Sequence, residues 1–117
     1  MLKKENRISL NKDFDRTFRS GKSFIGKNLK IKVVDNNLEK TRFGIIISAK
    51  ISKKAVVRNK YRRLIREIIK KELLNISPGK DLVIIVFKEI LDKKSPEIEK
   101  ELMSGLKKLK ILDKNEK

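Results

Sequence analysis

The sequence predicts an α+β fold in which helices pack on a small mixed sheet. Three observations lead there. Apolar residues recur every third or fourth position in the stretches 9–21, 53–71 and 95–109, but alternate or run together in 28–34, 42–48 and 81–88. The resulting order is helix, strands, helix, strand, helix. The helix between 42–48 and 81–88 invites a βαβ crossover, which general chirality rules would make right-handed. At 117 residues the chain has enough length for one core and little more, so a single domain over 1–117 is expected.

Residues 1–8 read as a flexible basic arm. In SLNKDFDRTFRSG (9–21), Leu10, Phe14 and Phe18 recur every fourth residue, Ser9 or Asn11 can cap the start, and Gly21 suits a left-handed stop. From Asn28 to Val34 the period becomes two, with Leu29, Ile31 and Val33 on one side and Lys30 and Lys32 on the other. Asp35-Asn36-Asn37 supplies turn chemistry. RFGIIIS (42–48) is nearly continuous in apolar residues, which predicts a strand covered on both faces.

Ser77-Pro78-Gly79 ends the next helix, and DLVIIVFK (81–88) is the most buried-looking strand. Ser95-Pro96-Glu97 is a good helix start, after which Ile98, Leu102, Leu106 and Leu109 line one face. Gly105 weakens that helix modestly. The tail 113–117 is polar and expected to fray.

The central helix, KKAVVRNKYRRLIREIIKK (53–71), carries nine Lys and Arg residues against one carboxylate, Glu67. Advancing about 100° per residue from Arg58 places Val57, Tyr61, Leu64, Ile65 and Ile68 within a ~100° arc. Arg58, Arg62, Arg66, Asn59, Lys70 and Arg63 fill the adjoining ~140°, interrupted only by Ile69 near the border. The charge therefore forms one sector beside the buried stripe. Arg58, Arg62 and Arg66 follow one another at four-residue spacing, where like charges oppose helix formation. Lys50, Lys53 and Lys54 crowd the helix N-terminus, where the macrodipole favours anions. Both features violate ordinary helix design, and phosphate groups would relieve both.

Charge and missing residue types narrow the function. The net charge of +17 calls for a polyanionic partner. Ten basic residues and one acid lie between 50 and 71, so nine of those 17 charges sit there. With no Cys and no His, disulfides, the usual zinc sites and His-based nucleophile systems are excluded. Asp13 and Asp15 diverge by about 200° on a helix, and no acidic cluster emerges that could hold a metal ion. No protein active site is expected. There is no Trp, no apolar run of membrane-spanning length and no secretory apolar core at the N-terminus, so the cytoplasm is the expected location and a membrane partner is not expected.

AVVRNKYRRLIRE (55–67) closely resembles the signature helix of the protein subunit of bacterial ribonuclease P. DFDRTFRSGKSF (13–24) is similar to that family's first helix and following loop, and RFGIIIS, DLVIIVFK and the C-terminal helix arrive in the family's order. The resemblance implies a fold like the second domain of ribosomal protein S5, with about four strands and a left-handed crossover around the basic helix, contrary to the general rule. It implies a ribonucleoprotein that removes the 5′ leader from precursor tRNA endonucleolytically. Its RNA is catalytic, its Mg²⁺ is held mainly by RNA, and one protein monomer binds one RNA.

Carried over by position, Arg58, Asn59 and Lys60, extended by Arg62, Arg63 and Arg66, would contact the catalytic RNA, as would Lys50, Lys53 and Lys54. Phe14 and Phe18, with Lys30 and Lys32 on the sheet wall, would bind the leader, with Arg58 and Arg62 facing it. Three departures stand out. Lys60 replaces an Arg, Lys30 and Lys32 replace apolar or aromatic residues, and SAKISKK (48–54) aligns imperfectly. Lysines at 30 and 32 imply leader binding by phosphate attraction more than by stacking. The charge and small fold also suit a non-enzymatic ribosomal or RNA-chaperone protein, whereas a protein-only nuclease lacks its catalytic groups.

Overall fold

The computed structural model describes residues 7–8, 17, 22–36 and 38–112. Its strands are β1 (Lys22–Ile25), β2 (Leu29–Asp35), β3 (Arg42–Ile46) and β4 (Lys80–Val86), and its helices are α1 (Ala55–Glu72) and α2 (Ser95–Lys108). Among the described residues the strands form one sheet in the order β1-β2-β4-β3. β1–β2 and β2–β4 are antiparallel, and β3–β4 is parallel. The sheet is therefore mixed, and the parallel neighbours β3 and β4 are joined by a crossover through α1, as parallel pairing requires. The expected helix over 9–21 lies outside the described residues except for Thr17, which is helical and fully buried.

Pairing decides one strand that periodicity does not announce. β1, KSFI, turns only Phe24 toward the core and leaves its neighbours exposed. It is extended because each residue pairs with β2, from Lys22 opposite Val33 to Ile25 opposite Lys30. β2 alternates as predicted, with Leu29, Ile31 and Val33 buried and Lys30 and Lys32 half-buried. β4 lies between β2 and β3 and is the most buried strand. β3 ends at Ile46, shorter than RFGIIIS suggested, and forms an outer strand of the sheet.

The inner face carries Leu29, Ile31, Val33, Phe43, Leu82, Ile84 and Val86. Tyr61, Ile65, Ile68 and Ile69 of α1 and Ile98, Leu102 and Leu106 of α2 complete the same core. α2 packs over β1 and β2 and beside α1. Gly105 is what permits this approach. A Cβ there would stand 2.6 Å from the Phe24 ring and 2.7 Å from Ile31 Cδ1, so the glycine fills a packing requirement that outweighs its weak helix propensity.

Two carboxylates lock the elements together. Asp81, fully buried, accepts from Arg42 Nε at 2.8 Å and Nη2 at 2.7 Å, and from Asn36 Nδ2 at 2.9 Å. That ties the end of β2 to the starts of β3 and β4. Glu101 of α2 accepts from the backbone N–H of Asn28 at 2.9 Å and Leu29 at 3.2 Å, and from Asn28 Nδ2 at 2.6 Å. It holds the β1–β2 turn against the helix. Gly79, at φ 77°, makes the turn into β4 that Ser77-Pro78-Gly79 predicted.

Candidate nucleic-acid interface

α1 is held by its apolar face. Tyr61, Ile65, Ile68 and Ile69 are buried, and Val57 and Leu64 pack half-buried beside them. Tyr61 also accepts a hydrogen bond at its hydroxyl from the Asp92 backbone N–H at 3.1 Å, which fixes the loop after β4. Ile69, expected at the border of the charged sector, belongs to the core. The buried arc is rotated toward the arginines, so Arg58, Arg62 and Arg66 are half-buried rather than free on a solvent face.

Each cation of the row is placed differently. Arg58 Nη1 donates to the Ser52 carbonyl at 2.7 Å, bracing the loop that leads into the helix. Arg62 Nη1 donates to Asn59 Oδ1 at 2.8 Å, so the exposed Asn59 orients an arginine. Arg63 is exposed. Lys60 is exposed and its Nζ lies 5.6 Å from the Tyr61 ring centroid. Arg66 is pushed below the ordinary arginine value, first by burial and then by Arg62 and Arg7. It remains charged, in a like-charged setting. Asn59, Arg62, Arg63, Arg66 and Glu67 line an open pocket of ≈ 360 Å³ along this flank.

The helix N-terminus is equally cationic. Lys54 occupies the cap position without a side-chain cap bond, and the first turn holds no acidic residue. Lys50, Lys53 and Lys54 are exposed around it. Their loop is shaped by Ser48 Oγ, which accepts from Lys50 N at 3.0 Å, and Ser52 Oγ, which accepts from Lys54 N at 3.2 Å. Free N–H groups, a positive dipole end and three ammoniums together suit an anionic backbone.

On the opposite face of the sheet, register brings Ser23 beside Lys32 and Ile25 beside Lys30, with Val83 and Ile85 next across β4. Val83 and Asp81 are fully buried there, whereas Ile25 is 67% exposed. This outer face is thus covered toward β4 and open toward β1, leaving a wall with two half-buried lysines. Phe14 and Phe18 lie outside the described residues. Ser23 and Ile25 were not legible as wall residues, because their face is set by the β1 pairing. Arg7, read only as part of a flexible arm, pairs with Phe43 along the free edge of β3.

Among the described residues no three acidic side chains converge on a possible metal position. Asp81 and Glu101 are occupied by the contacts above, Asp35 by Lys80 and Glu99 by Lys71. No helix among them is long and apolar enough to cross a membrane.

A family model for ribonuclease P matches residues 2–110. The chain is 33% identical over 116 residues to a ribonuclease P protein component of Pseudanabaena sp. (strain PCC 6903), covering 98% of this chain and 100% of that protein. It is 40% identical over 109 residues to the one of Clostridium botulinum (strain 657 / Type Ba4), covering 92% and 97%. A solved RNase P protein of Staphylococcus aureus, a mutant with defective mRNA degradation activity, superposes with a TM-score of 0.87 at 32% identity, covering 93% of this chain and 92% of that one. The RNase P protein from Thermotoga maritima superposes at 0.79 with 29% identity, covering 87% and 96%. The chain belongs to the bacterial ribonuclease P protein family, the protein component of the ribonucleoprotein that processes the 5′ end of tRNA.

Proposed function

We propose that RNA performs the endonucleolytic step and that this chain binds that RNA and the 5′ leader of precursor tRNA. The observation that carries the reading is the arginine flank of α1, anchored by a buried stripe and lined by cations that oppose one another until an anion arrives. Arg58, Asn59, Lys60, Arg62, Arg63 and Arg66 form the docking surface for the catalytic RNA, with Lys50, Lys53 and Lys54 extending it past the helix N-terminus. Arg58 and Arg62 also face the leader. The open wall of Lys30 and Lys32, with Phe14 and Phe18, receives the leader. Mg²⁺ is held mainly by RNA, because the acidic side chains described above already serve hydrogen bonds and ion pairs of the fold. One monomer acts per RNA, in the cytoplasm.

The test combines the purified protein, a bacterial ribonuclease P RNA and a precursor tRNA at low magnesium. Leader release by RNA plus protein, exceeding RNA alone, is the expected result. Cleavage by the protein alone would point to a protein nuclease, and no stimulation would point to a ribosomal or chaperone role. Phe18→Ala is expected to weaken leader-bearing substrate more than leaderless tRNA, through loss of stacking worth roughly 1–3 kcal/mol. Equal weakening of both would remove Phe18 from the leader site.

A further inference from the structure

The end of the sheet where β2 finishes and β4 begins holds a pocket of ≈ 300 Å³ that none of the roles above uses. Lys22 of β1, Asp35 of β2 and Lys80 of β4 line one side, and Lys110 and Ile111, just past α2, line the other. The pocket shares no residue with the arginine flank. It also lies away from the start of α1, which the chain enters from the opposite end, after β3 finishes beside Ile85.

Charge is unevenly matched in this pocket. Lys80 pairs with Asp35. Lys22 and Lys110 are exposed and have no ion-pair partner among the described residues, so three ammoniums accompany one carboxylate. Lys110 also stands in an unusual conformation, with φ 61°. It closes α2 by donating its N–H to the Lys107 carbonyl at 3.0 Å, while the Ile111 N–H donates to the Leu106 carbonyl at 3.1 Å. Glycine is the usual residue at this position of a helix end, because a side chain there crowds the following carbonyl. Helix electrostatics do not explain a lysine, since Lys107 and Lys108 already bring positive charge to the last turn. A lysine at a glycine position, on the wall of a cationic pocket, calls for a ligand that uses its ammonium.

We infer that this pocket binds a ribonucleotide, with the phosphate between the Lys22 and Lys110 ammoniums and a ribose hydroxyl on Asp35. The inference is independent of the proposed function, because it uses none of the residues assigned to either RNA surface. Two ammoniums on opposite walls suit a tetrahedral phosphate, which accepts from several directions. Asp35 narrows the class further. A carboxylate on the rim repels a bare anion but accepts hydrogen bonds from ribose hydroxyls, the role an acidic residue plays in dinucleotide folds. It offers about four acceptor positions, so Lys80 does not exhaust it. The volume is at the lower end of the ~300–1,000 Å³ of small-molecule sites, which leaves room for one small ligand. Two sources supply this chemistry, a free ribonucleotide and one nucleotide of an RNA strand. Val34 lines the pocket and shares a face of β2 with Lys30 and Lys32, so a strand on the lysine wall reaches the pocket along β2.

The test follows backbone amides of the full chain by NMR during titration with uridine 5′-monophosphate, its 2′-deoxy analogue or inorganic phosphate, at constant ionic strength. The amides of Lys22, Asp35, Lys110 and Ile111 are expected to shift with the ribonucleotide, and to saturate at several-fold lower concentration than with the other two. Lys110→Gly suits the left-handed backbone and so keeps the fold. It is expected to weaken the response at Lys22 and Asp35 several-fold, and Asp35→Ala to abolish the preference for ribose over deoxyribose. Amides that ignore the ribonucleotide, answer all three compounds alike, or answer unchanged in Lys110→Gly would overturn the inference. Binding of precursor tRNA and of a ribonuclease P RNA to the wild type and to Lys110→Gly separates the sources. Weaker binding of either RNA identifies a nucleotide of the strand, whereas unchanged RNA binding with the ribonucleotide response lost identifies a free ribonucleotide. A wild-type chain that ignores both RNAs while these amides still answer the ribonucleotide would sink the proposed function and uphold the pocket.

Discussion

Gly105 and Asp81 show how single residues set the tolerance of this fold. Gly105→Ala gains up to about 1 kcal/mol of helix propensity. Against this, the new methyl meets Phe24 and Ile31, and overpacking of that kind costs about 1–3 kcal/mol. Net destabilisation is expected in urea unfolding, and a stabilised variant would show that α2 can lift off the sheet. Asp81→Asn removes the buried carboxylate that pairs with the mostly buried Arg42 guanidinium. Breaking a buried pair from one side costs about 3–5 kcal/mol, so this variant is expected to unfold near ambient temperature or require RNA to fold. Asp35 behaves differently, because its side chain is largely exposed. Lys80, by hydrogen bond and charge, holds its pKa below the ordinary 3.8. A carboxylate with a lowered folded pKa stabilises above its unfolded value and loses that contribution as pH falls through the folded one. The stability difference between wild type and Asp35→Asn should therefore be small at pH 6 and vanish progressively below pH 3.8.

At the scale of the element, the proposed binding role sets the charge of α1 against its stability. Arg58, Arg62 and Arg66 repel at helical spacing, and each such pair opposes the helix by a few tenths of a kcal/mol. Replacing Arg62, Arg63 and Arg66 with Gln should therefore raise the thermal midpoint of the free protein slightly. The same variant should bind RNA more weakly and with a shallower salt dependence, by about 0.7–0.9 for each phosphate no longer neutralised. Movement in opposite directions is the signature of a functional charge row. A fall in both stability and affinity would mean the arginines serve packing instead. Arg58 belongs partly to that second category, since it braces Ser52, and it is best left out of the test.

For the whole molecule, a charge of +17 on 117 residues makes the free protein sensitive to screening. Raising sodium chloride from about 0.05 to 0.5 M, across which the Debye length shortens severalfold, should stabilise the free chain while it weakens the RNA complex. Thermal melts and filter binding over the same salt series check both arms. The fold organises this charge by keeping the two surfaces apart. The arginine flank lies on α1, which packs on the inner face of the sheet, and the lysine wall lies on the outer face toward β1.

Periodicity made β2, β4, α1 and α2 readable from the chain alone, because each buries one side and the backbone repeat prints that side into the residue order. Net charge and the like-charged spacing of Arg58, Arg62 and Arg66 made the anionic partner readable, since both are properties of composition and helix pitch. β1 was not readable, because pairing with β2 makes it a strand and only Phe24 faces the core. The rotation of α1 that buries Ile69 and half-buries the arginines depends on how the helix sits on the sheet, which a helical wheel leaves undetermined. Arg7 depends most on the fold. Its neighbours in sequence reveal nothing of its position, and only the bridge to Phe43 sets it on the edge of β3, with its Nε buried and without an acceptor.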